Sequence, residues 1–570
     1  MHTDSKDSTK IAATQTHANS MRRSLLSGAG TLLAGGAAAL PLLKSAAAAA
    51  QPSPTSWFVP TAFTSAAIQA AIDSANAQGG GYVFLPAGVY TQNYIVKVYD
   101  NIRVVGSGRG NTIIRPISHV TSEPGYGASI CFIGAQRSSI ESVTIDLRTN
   151  QTQYLNGISL LPNSSNLSVV CDSCVVQDCE VLGFDFHQYL IWNFRAKNTR
   201  ILYNYLDGGV TSYDPASRQE GIEVFGGYNV LILGNKIKNV GSHGIYPSPS
   251  LGVPNAENVN IEVCHNQIEN CGNGIQAQSC YDSTNGVQWL ENINIHHNQI
   301  AGCFNEGISL YGAQAGCLYK NVRITENQIT NTPIGLINDF ETNIPPENQS
   351  GIVWSGNQVD GGNGTSGGVL HLTYLQNAVV THNTVTNSTG ATAFFLLKCS
   401  NVTFAGNVCK NINKSALILQ YCDRCIFIQN IFLSYNIQGG FNAIPLYAVT
   451  NSVITQNTFK PTIESYCTQG ATDSHELTIT QNYLMYVPVY AAPFTVPGAN
   501  ANQGTVVMPS GSHSVTVYTS KVSTGMRLQI SQIAGTVITP FMVQPSEGQF
   551  TITVPVSGDG SQIFFWEVIQ

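Results

Sequence analysis

The sequence predicts an all-β, single-stranded coil of stacked parallel strands. Three observations carry this. A short phrase built around one asparagine recurs along most of the chain. Charged residues make up only 10% of the 570 residues, against roughly a quarter in ordinary globular proteins. A helix-like opening then leads directly into the first strand pattern.

The repeat is the deciding feature. The phrase apolar-x-apolar-x-x-Asn-x-apolar appears as LILGNKI (231–237), IEVCHNQI (261–268), INIHHNQI (293–300), VRITENQI (322–329), VVTHNTV (379–385), VTFAGNVC (402–409) and VITQNTF (453–459). Its marker residues are Asn204, Asn235, Asn266, Asn298, Asn327, Asn357, Asn383, Asn407, Asn430, Asn457 and Asn482, spaced 23 to 32 apart, and Cys179 fills the same slot one turn earlier. A second phrase, Gly followed by an apolar residue, comes a few residues later, as at Gly157, Gly183, Gly221, Gly244, Gly274, Gly307 and Gly335. Each repeat is too short to bury its own apolar side chains. Winding three short strands into a coil, and stacking coils about 4.8 Å apart, buries them. Asparagines at one bend would then form a ladder that satisfies bend backbone without charge.

Taken in chain order, residues 1–50 have the layout of an export leader: Arg22-Arg23 before two leucines, a Gly/Ala/Leu run, then a small-residue zone. The paired arginines resemble a twin-arginine signal. Export to the periplasm or outside the cell is therefore expected, with no membrane span in the mature chain. Without these residues the chain carries 21 basic and 31 acidic side chains, which argues against nucleic acid as a partner. The apolar content of 43% excludes a disordered chain. Fourteen cysteines include Cys171/Cys174 and Cys422/Cys425. These pairs are too far apart for one zinc site, and most cysteines are expected to be small buried residues.

Residues 51–81 form a linker and a capping helix. The helix is predicted over Phe63–Gln78, capped by Thr64 or Ser65 and stopped by Gly79-Gly80-Gly81. Coils follow over 82–495. Residues 496–570 lose the period and read as a small β-sandwich-like module.

The stretch AIQAAIDSANAQGGGYVFLPAGVY, followed by the asparagine-bearing coils, resembles the pectin-lyase-like superfamily. That resemblance implies a right-handed parallel β-helix over about residues 60–490 and a secreted protein acting on or binding carbohydrate. It leaves the reaction open. By analogy with trimeric β-helix proteins, a homotrimer is an expected assembly.

Alternation after each Gly places one stripe of side chains outward: Ser159, Asp185, Glu223, Tyr246, Gln276 and Ser309, then His187, Phe225, Gln278 and Tyr311. Asp185 and Glu223 are expected on adjacent coils, roughly 5 Å apart, where like charges repel. That spacing suits retaining glycoside chemistry. Glu220, His243, Asn273 and Glu306 stand just before the Gly and point to the same groove. Insertions add Asp214, Arg218 and Trp289 as walls. Asp185, Glu223, Glu220 and His243 are the catalytic candidates. His187, Asp214, Arg218, Tyr246, Gln276, Trp289, Glu306 and Tyr311 are the candidates for binding a poly- or oligosaccharide.

Three readings follow. The first is a glycoside hydrolase or glycosyl transferase using carboxylates, which needs no cofactor. The second is a lyase acting on a uronate glycan, where pectate-lyase-like chemistry would bring calcium. The third is a non-catalytic glycan-binding or adhesive coil. Signatures of known subfamilies differ here: mannuronan epimerases carry Asp-Pro-His where this chain has Asp214-Pro215-Ala216, and polygalacturonase-like aspartate motifs are missing beside Gly241-Ser242-His243-Gly244.

Overall fold

A computed structural model describes residues 57–117, 127–149, 155–184, 189–210, 219–248, 257–282, 286–312, 316–340, 344–364 and 367–438, together with 443–462 and shorter segments from 468 to 569. The chain divides into Met1–Ser53 and Pro54–Gln570, and every described residue belongs to the second unit. The expected leader lies outside the described residues.

The capping helix spans Ser65–Ala77. Thr64 is its N-cap, and the Thr64 side chain accepts from the Ala67 amide at 3.2 Å. Ile68, Ala71, Ile72 and Ala75 are buried, so one apolar stripe covers the end of the coil stack. Gly79 just past the helix takes φ +83°, a conformation that glycine adopts without steric cost. The coil begins earlier than the sequence predicts. Trp57–Phe58 already pairs in parallel with Tyr82 and Val83.

From there each coil contributes strands to three long sheets of 17, 15 and 15 strands. Successive coils pair in parallel, and equivalent residues stack. Ile237, Ile268, Ile300, Ile329, Val359 and Val385 form one such buried column. A column of identical depth on every coil makes the core continuous along the stack, so no single repeat needs a core of its own. Among the described residues, no helix is long and apolar enough to cross a membrane.

The asparagine ladder is present from Asn204 to Asn482. At Asn298, Nδ2 donates to Val263 O and to Asn327 Oδ1, both at 2.9 Å, while Oδ1 accepts from the Asn266 amide and its Nδ2. Cys179 joins the ladder through its backbone, its amide donating to Asn204 Oδ1 at 2.9 Å. A second, more exposed ladder was not foreseen. Asn198, Asn229, Asn260, Asn292 and Asn321 all have φ of 50–56°. Asparagine tolerates this left-handed region better than most side chains, and each Nδ2 donates to the Oδ1 of the coil before it at 2.7–3.0 Å. Cys131, Cys171, Cys174, Cys179, Cys271, Cys303, Cys399, Cys409, Cys422 and Cys425 are buried, as small apolar residues should be.

Toward the C-terminus, two small sheets of four and three strands replace the coil. All their pairings are antiparallel except that of Thr495–Pro497. Val506, Phe564 and Trp566 of one sheet share an apolar cluster with Val515, Val517 and Phe550 of the other.

The buried ladder should be worth more than the exposed one. Asn298→Ala strands a carbonyl and two amides without water, and should lower unfolding stability by about 3 kcal/mol. Asn292→Ala, whose partners reach water, should cost under about 1 kcal/mol. Denaturant unfolding of the two variants checks the contrast.

Candidate functional site

The outward stripe lies on the sheet that includes Asn156–Leu161, Tyr189–Phe194, Glu220–Phe225, His243–Ser248, Asn273–Asp282 and Glu306–Gly312. The glycine before each apolar residue is set by backbone proximity. A Cβ on Gly221 would lie 2.3 Å from Gly244 O, and one on Gly274 would lie 2.4 Å from Gly307 O. The column therefore marks a bend where adjacent coils nearly touch.

Register corrects one central expectation. Glu223 pairs with Trp192 on one side and Tyr246 on the other. Asp185 does not occupy the register position beside Glu223. Its coil forms the strand Tyr189–Phe194, shifted seven residues from the register Gly183 suggests, and Leu190 takes the glycine slot. The expected Asp185/Glu223 pair is thus absent as a register pair. Asp185, His187, Asp214 and Arg218 themselves lie outside the described residues.

The rest of the stripe assembles. Ser159, Trp192, Glu223 and Tyr246 follow one another in one row, and Gln276 pairs with Ser309 in the same row. Gln278 and Tyr311 pair in the next row, with Asp339 beyond them. Trp289 stands apart: it precedes Leu290–His296 of the 17-stranded sheet.

Glu220 and His243, 23 residues apart in sequence, meet across adjacent coils. The His243 amide donates to Glu220 Oε2 at 2.9 Å, and His243 Nδ1 lies 2.9 Å from the same oxygen. An ionised carboxylate only accepts, so Nδ1 carries the proton. The His243 ring stacks on Tyr246 with centroids 4.3 Å apart and planes 16° apart. Burial works to lower the His243 pKa. The Glu220 charge and hydrogen bond, helped by Gln276 and Glu306, outweigh it and hold the imidazole above its usual value.

Glu223 is only 1% exposed. Among the described residues its Oε2 has no hydrogen-bond partner. Burial, and then the neighbouring Glu220 charge, push its pKa well above the ordinary glutamate range, against a smaller opposing pull from Tyr189. Burial and the neighbouring charge therefore both favour the protonated form of Glu223. Glu306 is also raised, chiefly by burial and further by Asp339, while Ser309 and His243 oppose. Amides fill the space between these acids. Asn273 Nδ2 donates to Gln276 Oε1 at 3.1 Å and to Glu306 Oε2 at 3.3 Å. Tyr246 Oη donates to Gln278 Oε1. Tyr189 and Trp192, stacked 5.0 Å apart, border the cluster. Sequence reading missed both, although the apolar run YLIWNF was a usable signal. Among the described residues, side chains close enough to share a metal ion lie on a different sheet.

The family model for a right handed beta helix region matches residues 154–349, which include this cluster. A tailspike protein of an E. coli bacteriophage, solved with a pentasaccharide, superposes with a TM-score of 0.52 at 14% identity, covering 89% of this chain and 90% of that one. The fold is the right-handed parallel β-helix. Among curated relatives, mannuronan C5-epimerase AlgE1 of Azotobacter vinelandii is 29% identical over 161 residues, 26% of this chain and 11% of the relative. Alginate lyase 7 of the same organism is 26% identical over 160 residues, 26% of this chain and 19% of the relative. The chain spans between 9% and 29% of the length of the curated relatives it matches.

The raised Glu223 pKa gives a signed pH dependence. Its folded pKa is raised, so the protein loses stability as pH rises above the unfolded glutamate value of about 4.3. Glu223→Gln removes that loss. Its melting temperature relative to the parent should therefore climb with pH above that value and level off once the folded Glu223 ionises. A difference that does not change with pH would contradict a raised Glu223 pKa.

Proposed function

We propose that this protein is a carbohydrate-active β-helix enzyme. In this reading it works by proton transfer on a uronate-containing polysaccharide, by elimination or epimerisation, with His243 and Tyr246 as the reacting groups. The observation that carries the reading is the Glu220-held His243 ring stacked on Tyr246 at 4.3 Å. Both rings are partly exposed, whereas Glu223 is buried. The curated matches, mannuronan epimerases and an alginate lyase, support the same substrate class.

The chemistry asks for three things. A base must remove the proton beside the uronate carboxylate. An acid must protonate the leaving oxygen or return a proton to the opposite face. Neutral donors must hold the carboxylate so that the carbanion-like charge is spread. His243, oriented through Nδ1 by Glu220, serves as base through its other nitrogen. The Tyr246 hydroxyl serves as acid. Asn273, Gln276 and the protonated form of Glu223 supply uncharged hydrogen-bonding groups behind them. Because burial favours the protonated forms of Glu223 and Glu306, fewer negative charges in the cluster oppose a uronate.

A glycosidase is the second reading, favoured by two neighbouring carboxyls in different surroundings, Glu220 against His243 and the buried Glu223 with its pKa raised. Product analysis separates the two. The full-length protein is incubated with polymannuronate, mixed alginate, polygalacturonate and neutral glycans. Unsaturated ends or changed C5 configuration support the proposal; new reducing ends without unsaturation support the glycosidase instead. Turnover of none of these glycans would defeat both.

On a turned-over uronate, His243→Gln and Tyr246→Phe should each lower kcat by about 10²- to 10⁴-fold. The base must be neutral, so the rate should fall as pH drops through a His243 pKa lying above the ordinary value of about 6.5. An acid limb well below that pH would remove His243 from the base role.

A further inference from the structure

On the 17-stranded sheet, away from the acidic stripe, three of the chain's 12 histidines meet at one bend. His265 closes the strand Asn258–Cys264, while His296 and His297 close Leu290–His296 on the next coil. Each offers a ring nitrogen within 4.8 Å of the others. His265 and His297 stack with centroids 5.0 Å apart. Both sit at φ 55°, in a column that is glycine on other coils, at Gly234, Gly356 and Gly406.

The outer nitrogens of two of these rings are already engaged. His296 Nε2 lies 3.1 Å from Glu262 Oε1, and His297 Nε2 lies 2.5 Å from Glu326 Oε2. Carboxylates accept only, so both Nε2 atoms carry protons. In the neutral rings the inner nitrogens are then bare lone pairs. Those two Nδ1 atoms face each other at 2.8 Å. Two lone pairs at that distance repel unless something positive lies between or beside them. A histidine whose far N–H is held by a carboxylate, leaving the near nitrogen free, is the arrangement that prepares imidazole as a metal ligand.

We infer that His265, His296 and His297 form a site for a divalent late first-row transition ion, such as zinc, nickel or copper, oriented by Glu262 and Glu326. Three imidazoles select this class over calcium or magnesium, which take oxygen ligands. At imidazole–zinc distances of about 2.0–2.1 Å the two Nδ1 atoms need only spread slightly. Bound there, the ion ties the bends of two successive coils together. The rival occupant is a single proton shared between the two Nδ1 atoms.

The test is calorimetric titration of the full chain, free of any histidine tag, with zinc chloride, followed by cobalt(II) absorption. One equivalent should bind. His296→Ala and the double variant His265→Ala/His297→Ala should each weaken binding at least tenfold. Cobalt should give the visible bands of nitrogen coordination in the parent and lose them in both of these histidine variants. His382→Ala, in the same bend column on a distant coil, and Cys264→Ser should leave binding unchanged. Circular dichroism of each variant confirms that the coil stack is retained. No stoichiometric zinc binding by the parent would assign the site to a shared proton and overturn the inference. Binding that survives both histidine variants, or that is lost in Cys264→Ser, would place the ion elsewhere and overturn it equally.

Discussion

Everything in this molecule depends on the parallel register between successive coils, and the buried asparagine ladder is the interaction that holds it. Each ladder amide uses its two donors and its oxygen on neighbouring coils and on bend carbonyls. A slip of one residue would leave all of these groups without partners in a site closed to water, where an unmade hydrogen bond is expensive. The register in turn makes neighbours of residues more than twenty positions apart. Glu220 and His243 touch because of it, as do Asn273 and Glu306, and His265 and His297. The ladder also accounts for the low charge of the chain. Bends that saturate themselves with amides need few ionic groups.

Much of this was legible in the sequence, because the ladder and the bend glycines are local marks. Asn235, Asn266 and Asn298 announce their coils by their flanking apolar pattern. Thr64 announces the helix start. The reading failed where a coil departs from the repeat. Gly183 carries the right local phrase, but the actual strand is displaced by seven residues, and Leu190 occupies the column. Asp185 therefore seemed to stand next to Glu223, whereas Trp192 does. Period-2 alternation fixes which side chains share a face only after register is known, and register is a property of two coils. The exposed ladder from Asn198 to Asn321 escaped notice for a related reason. Its signature is a backbone conformation, φ near +50°, which no sequence pattern displays directly. The histidines of IEVCHNQI and INIHHNQI were in plain view as parts of the repeat, but nothing in one dimension showed that they converge.

Against this nearly neutral surface, the cluster from Glu220 to Glu306 is chemically distinct. It combines a buried acid whose pKa burial pushes up, a carboxylate-held imidazole, a stacked phenol and several amides. In the proposed reading these groups would divide the labour of proton transfer on a sugar, some exchanging protons and others holding charge steady. The two glutamates differ in their partners: Glu220 holds His243 at 2.9 Å, while Glu223 Oε2 has no hydrogen-bond partner among the described residues and burial pushes the Glu223 pKa up. The same fold thus provides both rigidity and a spread of acidities on one strand face.

The central claim is that coil stacking makes Glu220 the controlling partner of His243. The direct measurement is the pKa of His243 by NMR of ring-labelled histidine, in the parent and in Glu220→Gln, with His243→Gln supplying the assignment. The account predicts a parent value above the ordinary histidine pKa, falling when the Glu220 charge is removed. A parent value at or below the ordinary one, or a value indifferent to Glu220→Gln, would contradict it.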